Sequence, residues 1–145
     1  MQPLSREHHH ALLLCWKIRN GLSKGIVPER IKNYASWFSK TQLLPHFEME
    51  ERLLFPMLGR QHEGIERALQ EHQTIKELLE SENGSTETLR EIADKLETHI
   101  RFEERILFNE IQQAASEEDL ELIAQTHSAQ DTACAVEGWK DNFWE

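Results

Sequence analysis

The chain has 145 residues, of which 39% are hydrophobic and 29% are charged, and its formal net charge is −10 at pH 7. This length fits one domain with a sizeable core, and the acidic charge argues against nucleic acids and anionic membrane surfaces as partners. No apolar run approaches a membrane span, and "ALLLCW" is too short for a signal peptide, so we expect a cytoplasmic protein.

The first half of the chain predicts two helices, because helical periodicity continues almost without interruption and alternating strand patterns are nearly absent. The first helix is predicted over about 5–23, with Ser5 as its cap and "NGLSKG" at its end. The second begins at Pro28 and continues to about position 58. A kink is expected at Pro45 and fraying near Pro56, since each proline removes a backbone donor.

The second half of the chain predicts two more long helices and a shorter one. The long helices cover about 63–82 and 86–115, and the second of them is capped by Ser85 or Thr86. A fifth, shorter helix begins at Ser116, where the acidic residues that follow favour a helix start.

Four long helices with short connections favour an all-α fold, specifically an up-down-up-down four-helix bundle with a short C-terminal fifth helix. Residues 1–145 are therefore predicted to form a single domain, with the bundle over about 5–115 and a C-terminal extension over about 116–145. Aromatic residues in the extension either cover the bundle or mediate self-association, which leaves the oligomeric state open; we favour the cover for Trp139, Phe143 and Trp144.

One motif occurs twice. The segment "HFEMEERLLFP" begins at His46 and returns as "HIRFEERILFN" from His99, with a constant offset (99 − 46 = 53 and 103 − 50 = 53). A duplicated amphipathic helix repeats its apolar positions, but it has no reason to repeat a histidine and a glutamate among them. Glu50 and Glu103 each follow their histidine by four residues, so each pair lies on one helix face.

Both pairs fall on apolar stripes that are predicted to face the core. The stripes consist of Phe38, Leu43, Met49 and Leu53 in the second helix and Ile92, Leu96, Phe102 and Ile106 in the fourth. A buried glutamate is costly unless a positive charge compensates it. A single pair of this kind is more often a surface ion pair, but two copies on matching stripes indicate a cation in the core.

The other two long helices each contribute one more histidine. His72 lies on the core face of the third helix, although a lone core histidine is more often structural than a ligand. In the first helix, His8 lies near the centre of the apolar face, His9 on its flank and His10 on the polar side. We predict His8 as the inward residue, with His9 as the alternative.

The predicted site consists of four imidazoles and two carboxylates: His8, His46, Glu50, His72, His99 and Glu103. Six ligands are too many for one tetrahedral zinc ion and suit two metals bridged by the two carboxylates. Imidazole and carboxylate without thiolate favour iron, with manganese or zinc as alternatives.

Several nearby groups are expected to play no part in the site. Glu51 and Glu104 are expected in solvent or paired with arginines, and Glu48 is expected on the surface. His62 begins a zinc-protease pattern that lacks its second histidine, and His127 is expected to be a surface residue.

These motifs resemble the hemerythrin family, specifically its HHE cation-binding branch. The matching segments are "REHHHALL", "HFEMEERLLFP", "QEHQTIKELL" and "HIRFEERILFN", which span roughly positions 5 to 110. The resemblance implies a four-helix bundle around a non-haem di-iron centre. It also implies that the four histidines are terminal iron ligands and that Glu50 and Glu103 are bridging carboxylates.

The chain departs from the oxygen-carrying hemerythrins in two respects. Carriers have a second histidine one turn away on the third helix, whereas Ala68 and Lys76 occupy the positions one turn either side of His72. Carriers also close with HxxxxD, where this chain has HxxxE; Glu104 stands at the carrier spacing as an alternative bridge. The missing histidine implies a more open coordination position, which favours sensing or redox chemistry over reversible oxygen carriage.

Three functions fit this site. The first, which we place ahead of the others, is a di-iron module that binds or senses oxygen, nitric oxide or iron. The second is a di-iron redox enzyme that removes peroxide or nitric oxide or repairs iron–sulfur clusters, which requires electrons from a redox partner. The third is a bundle whose metal only stabilises the fold.

Overall fold

The computed structural model confirms the all-α class, since no strand occurs among the residues it describes. None of the helices within that part of the chain is long and apolar enough to cross a membrane. The residues described are 2–57, 62–81, 85–114, 116–122 and 143.

The first long helix, α1 (Gln2–Ser23), begins earlier than the sequence predicts. Ser5 therefore lies inside the helix, and its prediction as the cap is wrong. The helix ends where glycine allows it: Gly25 has a φ of 75°, which favours glycine, and its N–H donates to the carbonyl of Leu22 at 3.2 Å.

The second long helix covers residues 28–57 and begins with a proline in its first turn. Its backbone stays in the right-handed helical region across each internal junction, so it is continuous. A π-helical turn precedes Pro45 and accommodates the missing N–H. The segments are α2 (Pro28–Phe38), a π-turn (Ser39–Leu43), α3 (Leu44–Met49), a second π-turn (Glu50–Leu54) and a 3₁₀ turn (Phe55–Met57).

The third long helix is α4 (Glu63–Glu80), capped by the His62 side chain, which accepts a hydrogen bond from the Gly64 N–H at 3.0 Å. The fourth covers residues 86–114, and Ser85 caps it by accepting from the Thr88 N–H at 3.2 Å. Its segments are α5 (Thr86–Phe102), a π-turn (Glu103–Leu107) and α6 (Phe108–Ala114).

The short helix predicted after Ser116 is present over residues 117–122. The hydroxyl of Ser116 accepts from the N–H of Asp119, and the Asp119 carboxylate accepts from the N–H of Ser116. This reciprocal cap explains why the helix begins there.

The two copies of the repeated motif contain π-turns at the same place. The N–H of Phe55 donates to the carbonyl of Glu50, and the N–H of Phe108 donates to the carbonyl of Glu103, each spanning five residues. Each π-turn therefore begins at the repeated glutamate. Such insertions are frequent at functional sites, because they re-aim side chains within a helix.

The π-turns shift the apolar face by one residue. Leu54 and Leu107 are fully buried, whereas Ile106 is 51% exposed and Leu53 is half-buried. The prediction that Ile106 continues the core stripe is therefore wrong. A periodicity of 3.6 residues does not hold across a turn that contains an extra residue.

Within the described residues, α1 packs against α5 and α2, and α4 packs against the same two helices. This arrangement is a helical bundle; the up-down-up-down order and the single-domain organisation over 1–145 stay predictions. The core consists of two apolar clusters. One includes Leu14, Ile18, Ile31, Tyr34, Phe47, Ile75 and Leu96, and the other Met49, Leu54, Phe55, Ile65, Phe102, Leu107 and Phe108.

Tyr34 lies in the first cluster, where Lys17 donates a hydrogen bond to its hydroxyl at 3.0 Å. Phe143, 2% exposed, packs edge-on against the Tyr34 ring at 5.7 Å between centroids. The ring of Phe143, the one described residue beyond position 122, is thus part of the bundle core. Trp139 and Trp144 lie outside the described residues.

Burial raises the pKa of Tyr34 to about 12. The folded pKa exceeds the unfolded value of about 10. The contribution of Tyr34 to the free energy of unfolding is therefore fully present below pH 10 and is lost as the pH rises towards 12. Tyr34 is the only tyrosine, so tyrosinate absorbance should show one transition near pH 12 in folded protein. The denatured chain should titrate near 10, and the same value in folded protein would contradict this burial.

Candidate metal centre

The six side chains singled out in the sequence meet in the interior of the bundle. His8 comes from α1, His46 from α3, His72 from α4 and His99 from α5. The two glutamates open the two π-turns and are 0% exposed. None of the six is more than 4% exposed: His8, His46, Glu50, His72, His99 and Glu103.

These side chains form two groups of four that share both carboxylates. Within each group, one potential ligand atom per residue lies within 4.8 Å of the others. The groups are His8, His46, Glu50 and Glu103, and Glu50, His72, His99 and Glu103. Of the two histidines considered on the first helix, the structure brings His8 to the cluster and leaves His9 exposed.

All four imidazoles point Nε2 towards the centre. The Nε2 atoms of His8 and His46 lie 3.0 Å apart, and those of His72 and His99 also lie 3.0 Å apart. Glu103 approaches His99 Nε2 at 2.6 Å and His8 Nε2 at 3.0 Å. The cluster therefore concentrates nitrogen and oxygen lone pairs in one small volume.

Three further glutamates contact the outward nitrogens of the histidines. The Nδ1 of His8 lies 2.7 Å from Glu104, and that of His99 lies 2.8 Å from Glu71, both at hydrogen-bonding distance. Glu51 lies 3.4 Å from the Nδ1 of His72. The side chains of all three glutamates are partly exposed: Glu51 33%, Glu71 24% and Glu104 35%.

An N–H at Nδ1 that donates to a carboxylate leaves Nε2 with its lone pair towards the centre. The expectation that Glu51 and Glu104 lie free in solvent or beside arginines is therefore wrong, because they contact histidines. Glu104 also lies outside both four-residue groups.

The second glutamate of the motif occurs in both copies, and this duplication was the sequence signal for its contact with a histidine. Glu71, which directly precedes His72, carries no repeat signal of its own. Glu48 lies on the surface as expected, 74% exposed and 3.7 Å from Arg52.

The charges of the cluster depend on one another. Burial lowers the pKa of His8, but contacts with Glu103 and Glu104 outweigh it and raise the pKa to about 9. Burial likewise opposes protonation of His72, yet Glu103, Glu50 and Glu51 raise its pKa to about 10. Burial raises the pKa of Glu103, but the charge of His99 and contacts with the other histidines hold it well below its usual range. The cluster thus favours positive charge at its centre.

The donor set fits a metal. All four oxygen atoms of Glu50 and Glu103 are buried without a hydrogen bond of proper geometry. Buried carboxylate oxygens without partners are rare and costly. A cation between the carboxylates and the inward imidazole nitrogens would satisfy these atoms together, as it does in other imidazole–carboxylate sites.

Aromatic rings from both apolar clusters enclose the site. His72 stacks against Phe47 at 3.8 Å and against Phe55 at 5.6 Å between ring centroids. His8 stacks against Phe108 at 5.0 Å. The polar layer therefore lies between two apolar clusters, which exclude water and fix the imidazole planes.

Replacement of Glu104 with glutamine should lower metal affinity by roughly 10- to 100-fold, because the neutral amide orients His8 less strongly. Competition against a chelator of known affinity measures this change. Glu48→Gln is the matched control and should leave affinity unchanged, since Glu48 is exposed. Equal affinities of Glu104→Gln and wild type would show that the outer carboxylate has no effect on the metal.

Comparison with known families identifies the domain. Residues 2–111 match the hemerythrin HHE cation binding domain, which covers well over half of the chain and confirms the resemblance drawn from the motifs. Neither curated proteins nor solved structures gave a significant match.

Proposed function

Because this chain belongs to the hemerythrin HHE cation-binding family, we propose that it is a non-haem di-iron protein that binds or senses a small ligand such as oxygen or nitric oxide, or senses iron. One observation carries the proposal: two groups of four buried ligand side chains share the same two carboxylates. This arrangement suits two ions held side by side.

In this proposal, His8 and His46 would hold one ion and His72 and His99 the other, and Glu50 and Glu103 would be shared between the two. Iron is favoured because every donor is an imidazole or a carboxylate. The buried thiol of Cys15 belongs to the first apolar cluster rather than to either ligand group. Manganese and zinc accept the same donors and are the alternatives.

Bound iron would supply one-electron redox chemistry and coordination positions for a small ligand. The protein's contribution is orientation and exclusion of water. Glu104 and Glu71 fix the imidazoles of His8 and His99 through their Nδ1 atoms, and the rings of Phe47 and Phe108 cover the site.

A redox enzyme is the second candidate, and one surface feature favours it. A groove of about 560 Å³ lies between α4 and α5 and is lined by residues that include Arg67, Lys95 and Glu71. Glu71 also contacts the Nδ1 of His99 at 2.8 Å. The groove thus joins the surface to the site through two side chains, which suits exchange of protons or electrons with a partner. Consumption of peroxide or nitric oxide in the presence of a reductant would select this candidate.

Elemental analysis and absorption spectra, before and after azide addition, test the proposal first. We expect two irons per chain and absorption bands that azide shifts, because an open coordination position accepts the anion. A colourless protein that holds only zinc would overturn the proposal and leave a metal that stabilises the bundle.

Replacement of either shared carboxylate should remove most of the bound metal. We expect Glu50→Gln and Glu103→Gln each to lose most of the bound metal, because an amide cannot bridge two cations. Glu110→Gln is the matched control: Glu110 pairs with His62 at 2.9 Å, away from the cluster. Metal-to-protein ratios measure the result, and helix content from circular dichroism shows that each variant folds. Equal metal content in all three variants would contradict the assignment of Glu50 and Glu103.

A further inference from the structure

A small cavity lies beside the His8 and His46 half of the cluster. Apart from these two imidazoles and one amide, its lining is apolar and includes Ala11, Phe38 and Phe47. The cavity volume that the centre of a water molecule can occupy is about 10 Å³. The cavity therefore has room for about one molecule of that size. A diatomic or slender triatomic ligand fits a space of this size.

The amide in the lining is Gln42, which is 9% exposed. Its Nε2 is buried and has no hydrogen-bond partner. A buried N–H without a partner carries a full desolvation penalty, so such groups are rare in native interiors. Gln42 therefore offers an unused donor at the edge of a cavity that also contacts two candidate metal ligands.

The position of Gln42 follows from the helix that carries it. It lies in the π-turn Ser39–Leu43, four residues before His46, and both side chains line the same cavity. The repeat offset places Lys95 at the equivalent position in the second copy (42 + 53 = 95), and Lys95 is exposed. The amide donor is thus a feature of one copy of the motif only.

We infer that Gln42 is the ligand-contacting residue of this cavity: its Nε2–H donates a hydrogen bond to a small ligand with an accepting atom or partial negative charge. The inference rests on the proposed function. A fixed donor in a water-poor cavity stabilises developing negative charge more strongly than water does. The cavity should therefore favour azide, dioxygen and nitric oxide over ligands that accept hydrogen bonds poorly, such as carbon monoxide.

Azide titration of the iron-loaded protein, followed by absorbance, tests this role. Gln42→Met keeps the side-chain length but removes the N–H, and should weaken azide binding roughly 10- to 100-fold, as expected for a lost hydrogen bond to an anion. The infrared stretching frequency of bound azide should shift as well. Gln112→Met, the same substitution at an exposed position of α6, is the matched control and should change neither quantity. Iron content should be equal in all three proteins.

The outcomes separate the two proposals. Wild-type protein without iron, or without azide-sensitive bands, would overturn the proposed function and this inference with it. Iron and azide bands in the wild type, with the same affinity and the same azide frequency in Gln42→Met, would overturn only the role of Gln42. That result would mean that the amide N–H is met by water.

Discussion

The bundle depends on the burial of two carboxylates. Glu50 and Glu103 are 0% exposed in the middle of a helical core, where an isolated negative charge is strongly disfavoured. Positive charge must therefore reach them from all sides, and each of the four long helices delivers one imidazole. This requirement fixes the rotation of every helix about its axis, because a turned helix would withdraw its histidine and leave a carboxylate without compensation.

The same requirement explains the two π-turns and the divided core. Each turn begins at a buried glutamate, and the extra residue restores an apolar side chain to the core after it: Leu54 in one copy and Leu107 in the other. Apolar clusters on both sides of the polar layer supply the hydrophobic burial that the layer itself cannot provide. Apolar packing on both sides thus holds the site together with the contacts between its charges.

Around the centre, the two copies of the motif have surroundings that are similar in part and different in part. Glu51 and Glu104, at matching places in the two copies, each contact the Nδ1 of a histidine from a different helix. The position four residues before the histidine differs between the copies: Gln42 borders a cavity, and its counterpart Lys95 is exposed. Among the described residues, the two halves thus contribute equal numbers of candidate ligands, and the buried amide without a partner lies beside the His8 and His46 half.

The sequence by itself determined the all-α class and the six polar side chains that the structure brings together, because each of these follows from spacing within single helices. Its motifs also carried the resemblance to the family. Tertiary structure alone decided the rest. Helical periodicity could not foresee that Ile106 would be exposed in favour of Leu107, since a π-turn breaks the period. Nor could it assign partners to Glu51 and Glu104 or show the unpaired amide of Gln42. Those contacts join side chains from different helices or border a space between them, so their distances depend on how the helices pack.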